Sequence, residues 1–253
     1  MNSTRLFSAV FLVFLGFHAV FIGAQPGWAQ TQQGWGEIWK QRMTIGQAQL
    51  DNAFKLAEEG KVDEALAEID RIIAFDPSNW RSYFLKSAVL VLARRGEEAL
   101  KQIDTSINLA RKSNINPGLL AELYASKARS CIDYGHAQEA KKSLQLAVRL
   151  LPNDPSTLND LAWLLATSKD SRIRDGRRAV GYAQRACELS AWKNAFSIDT
   201  LAAASASVGN FSDAVKYQEM AISLLDTADR KSQAGGMQQR LRQYSNGQAY
   251  TAI

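Results

Sequence analysis

The sequence predicts an all-α fold of repeated helix-turn-helix units, and three observations carry that prediction. Apolar residues recur at helical spacing through residues 47–225, where Ala, Leu, Lys, Arg and Glu dominate. Alanines that follow a glycine return at near-constant intervals. Gly60 precedes Ala65, Gly96 precedes Ala99, Gly135 precedes Ala140, Gly176 precedes Ala179 and Gly209 precedes Ala214, with alanine spacings of 34, 41, 39 and 35 residues. Proline is rare, with five in the chain, and Pro77 and Pro152 stand where helices should stop. A proline nitrogen cannot donate the next helical hydrogen bond.

The elements follow in order. In the first unit, QAQLDNAFKLAEEG is a first helix and VDEALAEIDRIIAFDP a second. Ala53 and Ala65 let the two approach closely, and Leu50, Leu56, Leu66, Ile69 and Ile73 form the buried stripe. The second unit keeps Ala99 and Ile103. The third repeats the plan with Ala128, Gly135, Ala140, Leu144, Ala147 and Pro152, and the fifth with Leu201, Ala202, Gly209, Phe211, Ala214 and Ala221. The extra length falls in two expected loops, residues 111–118 with Asn116-Pro117-Gly118, and residues 167–175 ending at Asp175-Gly176. Longer turns are tolerated because loop-closure entropy grows slowly. The predicted units are 46–79, 80–118, 121–154, 155–194 and 195–227. Residues 228–253 then supply a polar capping helix, broken by Gly235-Gly236, and a tail. Met237, Leu241 and Tyr244 fall at helical spacing and can cover the last repeat's apolar face.

Residues 1–24 read as an export signal: Arg5, then a mostly apolar run, then small residues. Cleavage after Ala24 and cleavage after Ala29 both fit. An uncleaved anchor also fits, since the run from 6 to 24 nearly spans a bilayer core of about 30 Å. Each reading takes the rest of the chain out of the cytoplasm. Residues 25–45, with Trp28, Trp35 and Trp39, form a lead-in.

The small, Gly, Ala and Pro positions resemble those of the tetratricopeptide (TPR) family. The first unit matches at Ala53, Gly60, Ala65 and Pro77, whereas the second has Arg111 where the family prefers Pro. The family's first-helix Trp is replaced by Gln49, Tyr83, Tyr124, Leu158 and Ile198. The stretch from Asn159-Asp160-Leu161-Ala162-Trp163 to Gly209-Asn210-Phe211 looks like a bacterial subfamily of envelope and multi-domain proteins. The tail residues Arg240-Leu241, Tyr244, Gly247 and Tyr250 resemble its usual ending. The resemblance covers residues 46–250. It implies a right-handed solenoid of about five units plus a C-terminal capping helix.

Charge and chemistry bear on function. The net charge is +5, and without the first 24 residues 29 basic face 25 acidic residues, or +4, interleaved along the chain. That pattern reads as solvated helix faces rather than a nucleic-acid surface. His18 lies in the signal, leaving His136 at a turn, and Cys131 and Cys187 lie in different repeats. They read as buried thiols, with an oxidised pair as the alternative in an exported protein. One mature His and two separated Cys do not make a usual zinc site or a nucleophile–base pair. No phosphate-binding glycine loop occurs. No cofactor and no metal are expected.

The resemblance implies that first helices line a concave groove that binds a protein or peptide. The implied groove residues are Phe54, Phe84, Ser126, Arg129, Asn159, Asp160, Trp163 and Asp199. Trp163 also sits in the apolar run LAWLLA, so groove and core both remain open for it. The chaperone-tail clamp of some family members needs Lys and Asn at two places of one repeat. The pairs here are Leu50/Phe54, Phe84/Ala88, Ala125/Arg129 and Asn159/Trp163, and none fits. The expected function is a non-enzymatic binding scaffold in the bacterial periplasm or envelope. An envelope enzyme with unrecognised carboxylate chemistry and a membrane-tethered structural element are the alternatives.

Overall fold

A computed structural model describes residues 48–225 and 227–251, with side chains placed outside 226–233. The export signal and the lead-in lie outside the described residues. Among the described residues, no helix is long and apolar enough to cross a membrane.

All regular structure among the described residues is α-helical. Helix α1 occupies residues 48–58, followed by α2 (Val62–Phe75), α3 (Trp80–Leu92), α4 (Gly96–Lys112), α5 (Pro117–Asp133) and α6 (Ala137–Leu150). Then come α7 (Pro155–Thr167), α8 (Gly176–Leu189), α9 (Ala195–Ser207), α10 (Phe211–Ser223) and α11 (Thr227–Ser245). The chain divides into two compact units, Met1–Ser130 and Cys131–Ile253, and the division falls inside α5.

In the first unit α2 packs on α3 and α3 on α4. Its best-defined core joins Trp80, Phe84, Ile103, Ile107, Ala110 and Leu123, with Leu109, Ile115, Leu120 and Tyr124 against it. Buried Ser106 donates to the carbonyl of Trp80 at 2.8 Å, which ties α4 to the start of α3. Two ion pairs repeat one register: Lys86 of α3 meets Asp70 of α2, and Lys127 of α5 meets Asp104 of α4.

In the second unit α6 packs on α7, α7 on α8, α8 on α9, and α9 on α10. The first helices of the last two repeats, α7 and α9, also pack on each other, and α11 packs on α10 and α9. Helix α9 (AFSIDTLAAASAS) is buried on nearly every side, because alanine and serine let neighbours approach from several directions. Cys131 and Cys187 are buried thiols, neither of them in a disulfide. Burial pushes the Cys187 thiol up to about 12, and Glu188 beside it adds to that.

The turns differ from the sequence expectation in an instructive way. Gly60, Gly135 and Gly209 take left-handed backbone, with φ of +78°, +82° and +82°. Gly96 and Gly176 are instead the first residues of α4 and α8. In the second repeat the left-handed place belongs to Arg94 (φ 60°). Gly176 is set by close approach: a Cβ there would meet Ser207 Oγ at 2.6 Å and Val208 Cγ1 at 2.7 Å. Pro117 opens α5 rather than lying in a loop. Its fixed φ suits a helix start, and Asn116 Oδ1 accepts from the Gly118 N–H at 2.7 Å. The inserted loop after α7 is fastened by fully buried Ile173 and by Arg174 Nη1, which donates to the carbonyls of Ser168 and Lys169. Helix α11 runs unbroken through Gly235-Gly236 and buries Met237 and Tyr244.

Candidate functional site

Phe54 on α1 is half-buried. Phe84 is a correction, because it is 5% exposed and belongs to the first unit's core, where it packs between α3 and α4 rather than presenting a surface. Ser126 and Arg129 on α5 are half-buried. Asn159, Asp160 and Trp163 on α7 are half-buried, and Asp199 on α9 is buried.

The second unit brings Trp163 and Asp199 together. The phase of α7 is set at its start. Pro155 stands in the first turn, and Asp154 Oδ2 accepts from the Thr157 N–H at 2.7 Å. Asn159 and Trp163 lie four residues apart, so they share one face. The phase of α9 is set by Asn194, whose Oδ1 accepts from the N–H groups of Phe196 (2.9 Å) and Ser197 (3.2 Å). That start points Asp199 toward α10 and α11.

Asp199 accepts from Arg240 and from Gln218. Arg240 of α11 gives Nε to Oδ1 at 2.9 Å and Nη2 to Oδ2 at 2.8 Å, and Gln218 of α10 gives Nε2 to Oδ1 at 2.8 Å. The Arg240 and Asp199 side chains are 13% and 7% exposed, so this is a two-point, largely dry charge pair. The Arg240 guanidinium also lies 5.3 Å from the Trp163 ring centroid and 5.4 Å from that of Tyr250. Trp163 and Tyr250 are 5.9 Å apart, centre to centre. A cation thus rests on a carboxylate and against two neighbouring, mutually tilted aromatic rings, with cation–π attraction strengthened by partial burial.

Several buried polar atoms on these helices have no hydrogen-bond partner within the protein: Asn159 Oδ1 on α7, Gln218 Oε1 on α10, and Gln243 Oε1 and the Tyr244 hydroxyl on α11. Burial, and then the Asp199 charge, push the Tyr244 phenol above its usual range. Trp163 therefore has an outward face, and that face is covered by the chain's own C-terminus.

The sequence reading missed Arg240, Gln218 and Tyr250 as members of this site. Arg240 could have been found. It lies three residues after Met237 and four before Tyr244, on the same face of α11 as those two anchors. An arginine on a docking face needs a carboxylate opposite. Gln218 and Tyr250 carry no such local signal, because one lies mid-helix and the other beyond the helix end.

Among the described residues, no three or more His, Cys, Asp or Glu side chains gather as metal ligands would. The chemistry on view is recognition of a planar cation.

No family model matches the chain. A human protein, aspartyl/asparaginyl beta-hydroxylase, is 30% identical over 130 residues. The match takes in 49% of this chain and 17% of that protein's length. Among solved structures, MamA 41-end from Desulfovibrio magneticus RS-1 aligns with a TM-score of 0.59 at 13% identity, over 74% of this chain and 96% of that one. YrrB, described as a TPR protein with an unusual peptide-binding site, aligns with a TM-score of 0.56 at 17% identity, over 82% of this chain and 99% of that one. Cut9–Hcn1, an APC/C hetero-tetramer, gives 0.58 at 15% identity, over 79% of this chain and 36% of that one. With the sequential helix pairs, these likenesses establish the TPR fold.

Proposed function

We propose that this chain is a non-enzymatic scaffold that holds a protein or peptide segment against the first helices of its repeats, outside the cytoplasm. The observation that carries the reading is the α7–α9 face, where Trp163 and Asp199 already grip a guanidinium and a tyrosine of the chain's own C-terminal segment. A surface that holds one segment through an aromatic wall and a buried carboxylate has the chemistry to hold another. The fold likeness to a protein described by its peptide-binding site supports the same reading. Half-buried Asn159 and Asp160 on α7 extend this candidate surface, and half-buried Ser126 and Arg129 on α5 are separate candidates on the first unit. Export is supported by Arg5 and the apolar run that follows it. Affinity would come from apolar burial and a few charge-assisted hydrogen bonds.

The test is crosslinking and affinity purification of tagged protein from its native cell envelope, beside an Arg129→Glu variant of equal helicity. One protein enriched by the wild type and lost by the variant is the expected result. Equal recovery with both would remove the α5 face from the binding surface. N-terminal sequencing of the recovered protein reads the export step: a start after Ala24 or Ala29 is a released form, and an intact Met1 a tethered one.

A further inference from the structure

We infer that the Trp163–Asp199 pair is a receptor for an arginine side chain, that α11 and its tail are a displaceable latch filling it, and that the partner opens the latch by presenting an arginine of its own. This rests on the partner-binding reading above and names the chemistry of the partner.

The receptor is selective by construction. Both Asp199 oxygens are engaged by one guanidinium through Nε and Nη2. A lysine ammonium could reach one oxygen but could not reproduce the fork, nor set a delocalised planar cation against the rings of Trp163 and Tyr250. Selectivity also follows from burial. Removing Arg240 without replacement would take both guanidinium bonds from the Asp199 carboxylate in a largely dry site, which is unfavourable even with the Gln218 amide still donating to it. A neutral or acidic segment therefore cannot open the latch, whereas another guanidinium restores the pair on arrival. A ligand shifts a two-state equilibrium only by its differential affinity for the two states, and an arginine supplies that difference here.

The latch side is built weakly. Helix α11 carries two adjacent glycines in its interior, which lowers its own helix propensity. Its described residues offer two fully buried anchors, Met237 and Tyr244. Gln243 Oε1 and the Tyr244 hydroxyl of the latch, and Gln218 Oε1 beside Asp199, are buried without a hydrogen-bond partner in the protein. Folded proteins leave few such atoms. Asn159 Oδ1, one turn before Trp163, is an acceptor ready for a backbone N–H of an incoming segment.

Two measurements on the full chain test this. In native-state hydrogen exchange, the amides of residues 237–245 should exchange well before those of α9, as a separate opening unit. The second measurement is binding of a fluorescent peptide with the sequence of residues 237–251, and of the same peptide with lysine at the place of Arg240. A latch closed about ten to one weakens a competing ligand about tenfold in the wild type. The peptide should therefore bind Arg240→Ala protein about tenfold tighter than wild type, and the lysine peptide should bind markedly less well. Arg240→Lys protein, which keeps the charge and loses the fork, covers the case in which the alanine variant unfolds, and should show the same gain. Exchange of α11 together with α9 in one cooperative step overturns the latch, as does equal binding by the variant and wild-type proteins. Equal binding of the two peptides overturns arginine recognition. Each of these failures leaves capture through Arg129 standing, and a failed capture leaves the latch standing.

Discussion

Trp163 shows what one side chain can conceal from its sequence. Its place in LAWLLA fits a core, and its place in the repeat fits a groove. The half-buried indole instead meets Arg240 and Tyr250, residues 77 and 87 positions later. No local pattern carries a contact of that separation. Asp199 was legible as a first-helix position, but its burial depends on α10 and α11 arriving from elsewhere. Asp199→Ala should destabilise the second unit by about 3–5 kcal/mol, the usual loss when one member of a buried pair is removed. Urea unfolding followed by Trp163 fluorescence measures it, and a loss below about 1 kcal/mol would show the pair to be a surface contact in solution. Phe84 belongs to the same scale. As a core side chain in the Trp80–Ile103–Leu123 cluster, its replacement by alanine should remove about 3–5 kcal/mol from the first unit. A groove residue would instead lose partner binding at unchanged stability.

At the scale of the element, the repeat was readable because alanine at the helix crossing is a steric requirement. Ala53, Ala65, Ala99, Ala140, Ala179 and Ala214 are all fully buried. The glycines were less readable, because one residue type serves two needs. Gly60, Gly135 and Gly209 supply left-handed turns, and Gly176 supplies room for Ser207 and Val208 at the end of α9. The distinction predicts opposite signs within α8. Gly176→Ala pushes a Cβ into atoms 2.6 and 2.7 Å away and should destabilise by about 1–3 kcal/mol. Gly181→Ala, exposed and with nothing within 4 Å of the added carbon, should stabilise by about 0.5–1 kcal/mol. Thermal melts of the two variants decide it, and a shift of the same sign for both would refute the steric account. The expected break of α11 at Gly235-Gly236 failed for a related reason. Docking through Met237 and Tyr244 holds the backbone helical where propensity alone would not.

At the scale of the molecule, the second unit carries a pH dependence that the first half of the sequence does not announce. Burial raises the Cys187 thiol from 9.0 to about 12, and burial with the Asp199 charge raises Tyr244 above its ordinary 10.0. In the unfolded chain these groups release their protons near their ordinary values, whereas in the folded unit they hold them longer. Above pH 9 the unfolded state therefore binds fewer protons than the native one, and stability falls as pH rises. The contribution is fully present below pH 9 and is lost as pH climbs through the raised values, with Cys187 acting first and Tyr244 joining above pH 10. Urea midpoints under reducing conditions should thus hold below pH 9.0 and drop from there toward about 12. Tyr244→Phe isolates part of the effect. It keeps the buried ring, removes a hydroxyl that makes no hydrogen bond, and so should unfold near the wild-type midpoint at neutral pH. Combined with Cys187→Ala, it should flatten the alkaline decline even though the cysteine change lowers the starting point. A decline as steep in the double variant as in the wild type would assign the alkaline loss to other groups.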